Sequence, residues 1–186
     1  MNEKTATGRQ LKKIVAALLQ QGDMDAAMAQ IRQYPPRQII NPLIGLLFHK
    51  NAPVQQRAIA AIGATTARLA ESDMESARVI MRRLMWSLND ESGGIGWGAP
   101  EAMGEIMARN HRLADEYHRI LLSYIAPDKN FLEHDDLRLD ALNGIKRLAA
   151  ARPELVRDAA GLLASCRASS MTAEREIADH ILTLLQ

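Results

Sequence analysis

Apolar residues recur along nearly the whole chain at the spacing of an α-helix with one buried face. From Leu11 to Leu19 they fall at i, i+3, i+4 and i+7, and the same pattern returns in one segment after another as far as Leu185. No segment alternates apolar and polar residues at period two, so the pattern predicts no strand. It predicts about ten helices in antiparallel pairs, near residues 11–19, 24–31, 39–47, 53–69, 73–88, 99–109, 113–124, 137–148, 153–162 and 172–185.

Helix boundaries are marked by residues that cap or start a helix. Asp23, Ser72 or Asp73, and Thr172 stand where N-caps are expected, because their side chains accept hydrogen bonds from free backbone N–H groups. Pro153 stands where the ninth helix is expected to open.

A seven-residue segment recurs in the second helix of successive pairs. Three copies end in glycine, at Gly63, Gly104 and Gly144, about 40 residues apart, which is a typical period for helical repeats. A fourth, weaker copy ends at His180. A glycine inside a helix costs roughly 1 kcal/mol relative to alanine, so we expect these glycines to lie where a helix of the next repeat packs closely.

The segment Ala52–Gly63, with the sequence APVQQRAIAAIG, resembles the second helix of HEAT-like repeats, in particular the short bacterial kind related to phycobilisome-lyase repeats. The chain is also similar to small bacterial HEAT-repeat proteins that carry a loop like Asn89–Trp97. The resemblance covers residues 37–186. It implies an all-α, right-handed α-α superhelix of about five helix pairs in a single domain, 1–186, with 1–36 as an N-terminal capping pair and about four repeats in 37–186.

Two departures from the repeat stand out, a glycine-rich loop at residues 89–98 and a long polar connection at 127–134. In solenoids, insertions between the helices of a pair lie along one edge, which is often a binding edge. We therefore expect a ligand- or partner-binding site here. Its candidate residues are Asn89, Asp90, Glu91, Ser92, Gly93, Gly94, Trp97, Glu101 and Glu105.

Charge is distributed unevenly, although the net charge of the chain is only +1. Residues 1–88 carry twelve Lys or Arg and six Asp or Glu, whereas residues 89–140 carry five and eleven. Glu101, Glu105 and Asp140 are expected to form one acidic patch on the concave face, which would suit a protein partner with a basic segment. The same charges oppose nucleic acid, whose phosphates require Lys and Arg along the groove. The alternative for these glutamates is a solvated helix face, with Glu105 supported by Arg109.

The expected function is a non-catalytic scaffold that binds a protein or peptide on its concave face and on the 89–98 loop. An alternative is a cofactor-handling or lyase-like enzyme that uses Asp90, Glu91 and Trp97, and nucleic-acid binding is a third class. In a purely structural interpretation, Trp97 fills a gap between repeats and the glycines only permit the bend. Because no catalytic or metal-binding constellation is complete, we predict no catalytic residue, metal or cofactor; the His111, Asp115 and His118 trio is interpreted as surface contacts.

Cysteine usage and hydropathy indicate the cell compartment in which we expect the protein. The single Cys166 cannot form an internal disulfide and suits a reducing environment. No apolar run approaches the 18 residues or so that span a membrane. We expect a cytoplasmic protein without a membrane partner.

Overall fold

The computed structural model describes residues 7–89 and 96–186. These two ranges contain ten α-helices and no strand, so the all-α prediction is confirmed. The helices are α1 Gly8–Gln20, α2 Met24–Ile31, α3 Pro36–Ile44, α4 Ala52–Ser72, α5 Met74–Ser87, α6 Ala99–Arg109, α7 His111–Ser123, α8 Asp135–Ala151, α9 Ala160–Ser165 and α10 Thr172–Leu184. The chain forms two compact units, Met1–Ile80 and Met81–Gln186, which divide within α5.

In the first unit, α1 packs against α3 and α4, and α3 packs against α4. Leu11, Ile39, Leu43, Ile59 and Ile62 are among its fully buried side chains, as their helical spacing predicts. The apolar stripes of α1 and α3 are thus covered by the long helix α4, and α2 packs against α1.

Side-chain caps start the helices of this unit where the sequence predicts them. The Asp23 carboxylate accepts a hydrogen bond from the Ala26 N–H, and the Asp73 carboxylate accepts one from the Ser76 N–H. The bonds from the backbone and hydroxyl of Ser76, with that of Arg37, lower the pKa of Asp73 to about 2. Asp73, rather than Ser72, is therefore the cap of α5.

In the second unit, α6 is the central helix. Every residue from Ala99 to Met107 is buried, and α7 and α8 pack against it. A helix buried on all sides needs small residues wherever a neighbour comes close. Gly104 meets this need, because a Cβ atom placed on it would lie 2.1 Å from the Gly144 carbonyl oxygen of α8. The prediction of close packing at these two glycines is confirmed.

Two predicted boundaries near the end of the chain are wrong. Pro153 does not open one long helix: Pro153–Leu155 and Arg157–Ala159 are 3-10 turns that precede the short α9. Such turns can bury apolar residues at nearly the same spacing, so periodicity does not separate the two. Thr172 is the first residue of α10 and not its cap, since Met171 holds the cap position without a side-chain hydrogen bond.

Candidate functional site

The glycine-rich loop joins the end of α5 to the start of α6. Asn89 lies exposed after the last turn of α5, where its N–H donates to the Trp86 carbonyl at 3.0 Å. The predicted site residues Asp90, Glu91, Ser92, Gly93 and Gly94 lie outside the described residues. The chain is described again from Gly96, which is buried; a Cβ atom there would lie 2.6 Å from the Ser87 hydroxyl.

Gly98 sets the direction in which the chain enters α6. It adopts a left-handed conformation with φ of 71°, which glycine reaches without steric cost, and it has no side chain to cap the helix. Its N–H instead donates to the Asp140 carboxylate of α8, at 2.6 Å. Burial raises the pKa of Asp140 to about 6; the bond from Gly98 acts in the opposite direction, and the charges of Glu101 and Asp136 add to the increase. A carboxylate from the neighbouring helix therefore anchors the end of the loop.

Glu101 and Glu105 do not form an open acidic patch, so that expectation is wrong. Their exposed fractions are only 4% and 6%. The guanidinium of Arg147 on α8 donates to Glu101 Oε1 at 2.8 and 2.9 Å and to Glu105 Oε2 at 2.7 Å. Burial works to lower the pKa of Arg147, but the charges and hydrogen bonds of the two glutamates outweigh it and raise that pKa.

Arg109 completes the ion-pair cluster from α6 itself. Its Nε donates to Glu105 Oε1 at 2.6 Å, which is the i, i+4 pair that the sequence suggests. The solvated-face alternative is nevertheless wrong for Glu105, because this carboxylate is buried between the two cations. The cluster holds α6 and α8 together at the same interface as the two glycines.

Trp97 brings the two insertions into contact. Its ring meets that of His134 edge to face, with ring centroids 4.8 Å apart and an interplanar angle of 81°. His134 ends the polar connection and caps α8, because its Nδ1 accepts a hydrogen bond from the Asp136 N–H. Trp97 is half-buried, so its ring both supports the connection and reaches the surface.

A groove of about 560 Å³ lies between the end of α5, α7 and the polar connection. We call it the Trp86 groove. Its apolar and aromatic walls are Met85, Trp86, Ile120, Tyr124, Phe131 and Leu137. Asn89, Asn130, Glu133 and His134 supply polar groups. Trp86 is the most exposed of the large apolar side chains in the described chain, at 69%.

Trp86 and Phe131 were not among the residues that the sequence singled out. On α5 the buried stripe consists of Ala77, Ile80, Met81 and Leu84, and Trp86 falls outside it. A tryptophan on the polar face of an amphipathic helix was the available signal, since exposed large aromatic residues are uncommon away from interaction surfaces. Met85, the neighbour of Trp86 in the chain, is only half-buried and lines the groove.

Arg138 holds the polar connection in place beside the groove. Its Nη1 donates to the carbonyls of Leu132 and Glu133 at 3.0 and 3.2 Å, and its guanidinium lies 5.3 Å from the centre of the Phe131 ring. The same side chain pairs with Asp135 and Glu174. The wall that carries Phe131 is therefore fixed by a buried cation.

Tyr124 provides a polar group within the groove. Its exposed fraction is 6%, and its hydroxyl makes no hydrogen bond to any residue of the described ranges. Burial raises the pKa of Tyr124 to about 12, so the hydroxyl keeps its proton and remains a donor. The hydroxyl is not one of the fully enclosed polar atoms without a partner, so it meets the solvent of the groove, and a ligand that supplies an acceptor would replace that water.

The described ranges contain neither a candidate metal-binding cluster nor a membrane-spanning helix. Among residues 7–89 and 96–186, no three His, Cys, Asp or Glu side chains come together as a metal site requires. His118, of the trio considered above, instead contacts the Ala114 carbonyl through its Nδ1 at 2.9 Å. None of the helices described above combines the length and apolar character needed to span a bilayer.

The sequence matches no protein-family model and no curated protein. Two solved structures resemble the fold. A computationally designed armadillo repeat protein for modular peptide recognition aligns over 96% of this chain and 92% of its own, with 17% identity and a TM-score of 0.51. A second designed armadillo repeat protein aligns over 97% and 88%, with 20% identity and a TM-score of 0.49. The first likeness shows that the fold is that of a helical repeat solenoid.

Proposed function

We propose that this protein is a non-catalytic scaffold that binds a protein or peptide at the edge where its two insertions meet. The observation that carries the proposal is the Trp86 groove: an open, largely apolar groove with an exposed tryptophan, lined by Asn89 of the glycine-rich loop and by residues of the polar connection. Tryptophan is strongly enriched among the residues that dominate binding energy in protein interfaces. Asn89 lies in the wall of this groove, and Trp97 contacts its rim residue His134.

The proposal treats the chain as one HEAT-like repeat domain of the bacterial type, working in the cytoplasm. Repeat frameworks offer extended surfaces for other chains. One structural neighbour was designed for modular peptide recognition, an example of a framework with this fold put to that use. We retain the loop residues Asp90, Glu91, Ser92, Gly93 and Gly94 as predicted partner contacts.

The partner is expected to carry a basic segment, although not for the reason that the sequence suggested. Glu101 and Glu105 are neutralised inside the α6–α8 interface, so they cannot supply an acidic surface. Glu133, an exposed acid in the groove wall, takes that role, and Asp136 is a second exposed acid next to the lining residue Leu137 in the chain. Such rim charges steer a partner of opposite sign and discriminate against one of the same sign.

The test is purification of the native protein with whatever it retains, followed by the same experiment on substituted chains. Trp86→Ala should lose the retained partner without a loss of stability, because the side chain is mostly exposed. Phe48→Ala is the matched control, since Phe48 is 48% exposed, belongs to the first unit and does not line the groove. The Asp90→Asn/Glu91→Gln double variant tests the loop.

Each outcome has a definite meaning. Loss with Trp86→Ala but not with Phe48→Ala supports the groove as the binding site. If Trp86→Ala and the double acid variant both hold the partner as well as the parent chain does, neither the groove nor the loop is the binding site.

A further inference from the structure

We propose that the Trp86 groove binds an extended peptide segment that inserts one large apolar side chain and places a Lys or Arg next to it. This inference rests on the proposed function and specifies the chemistry of the partner. Three features of the groove lead to it: its apolar depth, its unpaired hydroxyl and the charge of its rim.

The depth of the groove is apolar and partly shielded from water. Leu137 is buried, Ile120 and Met85 are half-buried, and the rings of Trp86 and Phe131 flank the opening. A volume of about 560 Å³ falls within the range of roughly 300–1,000 Å³ that encloses most of a drug-sized ligand. It therefore has room for one large side chain together with the backbone that carries it.

The Tyr124 hydroxyl sets the polar requirement of the occupant. Most of the Tyr124 side chain is buried, but its hydroxyl meets the solvent of the groove and no described residue accepts from it. The carbonyl of an extended peptide can accept this bond, whereas an apolar molecule that filled the groove would leave the donor unpaired. Asn130 keeps an acceptor oxygen available nearby, because its amide nitrogen is the atom that bonds the Ser123 hydroxyl.

The rim selects for positive charge. Residues 128–136 contain Asp128, Glu133, Asp135 and Asp136 against the single Lys129. All five are exposed, and Glu133 belongs to the groove itself. Asp135 is paired with Arg138, which leaves Glu133, in the groove wall, and Asp136, next to the lining residue Leu137 in the chain, as exposed acids that no described cation pairs. A Lys or Arg beside the anchor would meet them, and the phosphates of a nucleic acid or an anionic lipid would be repelled.

The test is a display selection of random twelve-residue peptides on the immobilised full chain, run in parallel on the Trp86→Ala variant. Selected peptides should share one Trp, Phe, Leu or Met with Lys or Arg within three positions. Their affinity, measured by fluorescence anisotropy with synthetic peptides, should fall about thirty-fold or more for Trp86→Ala, as expected of a central anchor contact.

Two milder variants separate the polar and electrostatic contributions. Tyr124→Phe keeps the ring and removes the hydroxyl, so it should weaken binding by about two- to ten-fold, the worth of one hydrogen bond. Glu133→Gln should reduce affinity a few-fold at low salt and much less at high salt, because a rim charge is screened. Phe48→Ala should bind every selected peptide as the parent chain does.

The inference is overturned if no peptide is enriched, if the enriched peptides lack the apolar residue or carry acids beside it, or if they bind Trp86→Ala equally well. Failure of the inference remains distinct from failure of the proposed function. If the natively retained partner depends on Trp86 while selected peptides lack the pattern, the scaffold function stands and only the peptide chemistry is wrong. If neither depends on Trp86, both are wrong.

Discussion

The contact between Gly104 and Gly144 gives the sharpest test of how α6 and α8 pack. In the Gly104→Ala variant the new Cβ would meet three backbone atoms of Gly144, at 2.1, 2.4 and 2.5 Å. Backbone cannot rotate away as the end of a flexible side chain can. To restore a separation of about 3.4 Å, the ordinary van der Waals limit, the two helices must move apart by about 1.3 Å.

This displacement has a second consequence at the same interface. Arg147 reaches Glu101 and Glu105 at 2.7–2.9 Å, and an added 1.3 Å would stretch these bonds beyond hydrogen-bonding distance. Overpacking alone costs about 1–3 kcal/mol, and weakening a buried ion pair adds to this cost. The greater helix propensity of alanine returns at most about 1 kcal/mol. We expect a net loss of about 2–4 kcal/mol in the free energy of unfolding.

The assay is urea denaturation followed by circular dichroism at 222 nm. Gly161→Ala is the matched control, because Gly161 also lies in a helix and nothing is within 4 Å of its added Cβ. It should leave the unfolding midpoint unchanged or raise it slightly. An unchanged or raised midpoint for Gly104→Ala would refute the close packing. Gly104→Leu and Gly144→Leu should be worse still, since a longer side chain needs more room.

Substitutions at three further residues test the groups around this interface. Arg147→Met leaves Glu101 and Glu105 buried without their shared cation, so urea denaturation at pH 7 should show a loss of about 3 kcal/mol, and an unchanged unfolding midpoint would contradict the assignment. Asp140 has a folded-state pKa of about 6 against its ordinary 3.8, so its contribution to stability is fully present below pH 4 and is lost as the pH rises through 6. Asp140→Asn should therefore melt above the parent chain at pH 7.5 but not at pH 4.5, and a melting difference independent of pH would count against the buried charge. Gly98→Ala should lower the free energy of unfolding by about 1–2 kcal/mol because alanine resists the left-handed conformation; Gly98→Asn, which tolerates it better, should lose less in the same thermal melts.

The sequence was sufficient for the helical framework because that framework depends on local periodicity. The stripe on α5 and the start of α6 at Ala99 both follow from nearby residues. Even the contact at Gly104 could be predicted, since a mid-helix glycine that recurs with the repeat indicates close packing. The prediction of a single ninth helix was wrong because the apolar spacing of that segment fits 3-10 turns equally well.

The site was predicted less well because its chemistry depends on partners distant along the chain. Glu101 has the spacing of an exposed acid, and only the fold shows that Arg147 covers it from 46 positions away. The meeting of the two insertions was expected from repeat geometry, but the edge-to-face contact of Trp97 with His134 was not. Trp86 could have been recognised in the sequence as a large aromatic residue outside the buried stripe of α5. Helical periodicity alone does not identify such a residue.

The dependence of α6 on residues far beyond it has a consequence during synthesis of the chain. Its carboxylates are paired only when Arg147, which follows Glu101 by 46 residues, has been made, and the N–H of its N-cap Gly98 requires Asp140. At roughly 5–20 residues per second, the ribosome needs about 2–9 seconds to supply Arg147. Until then the face of α6 that packs on α8 is uncovered, and exposed apolar segments of nascent chains aggregate. The charges of Glu101 and Glu105 keep the segment hydrated during this interval, and pairing with Arg147 then allows the two side chains to be buried.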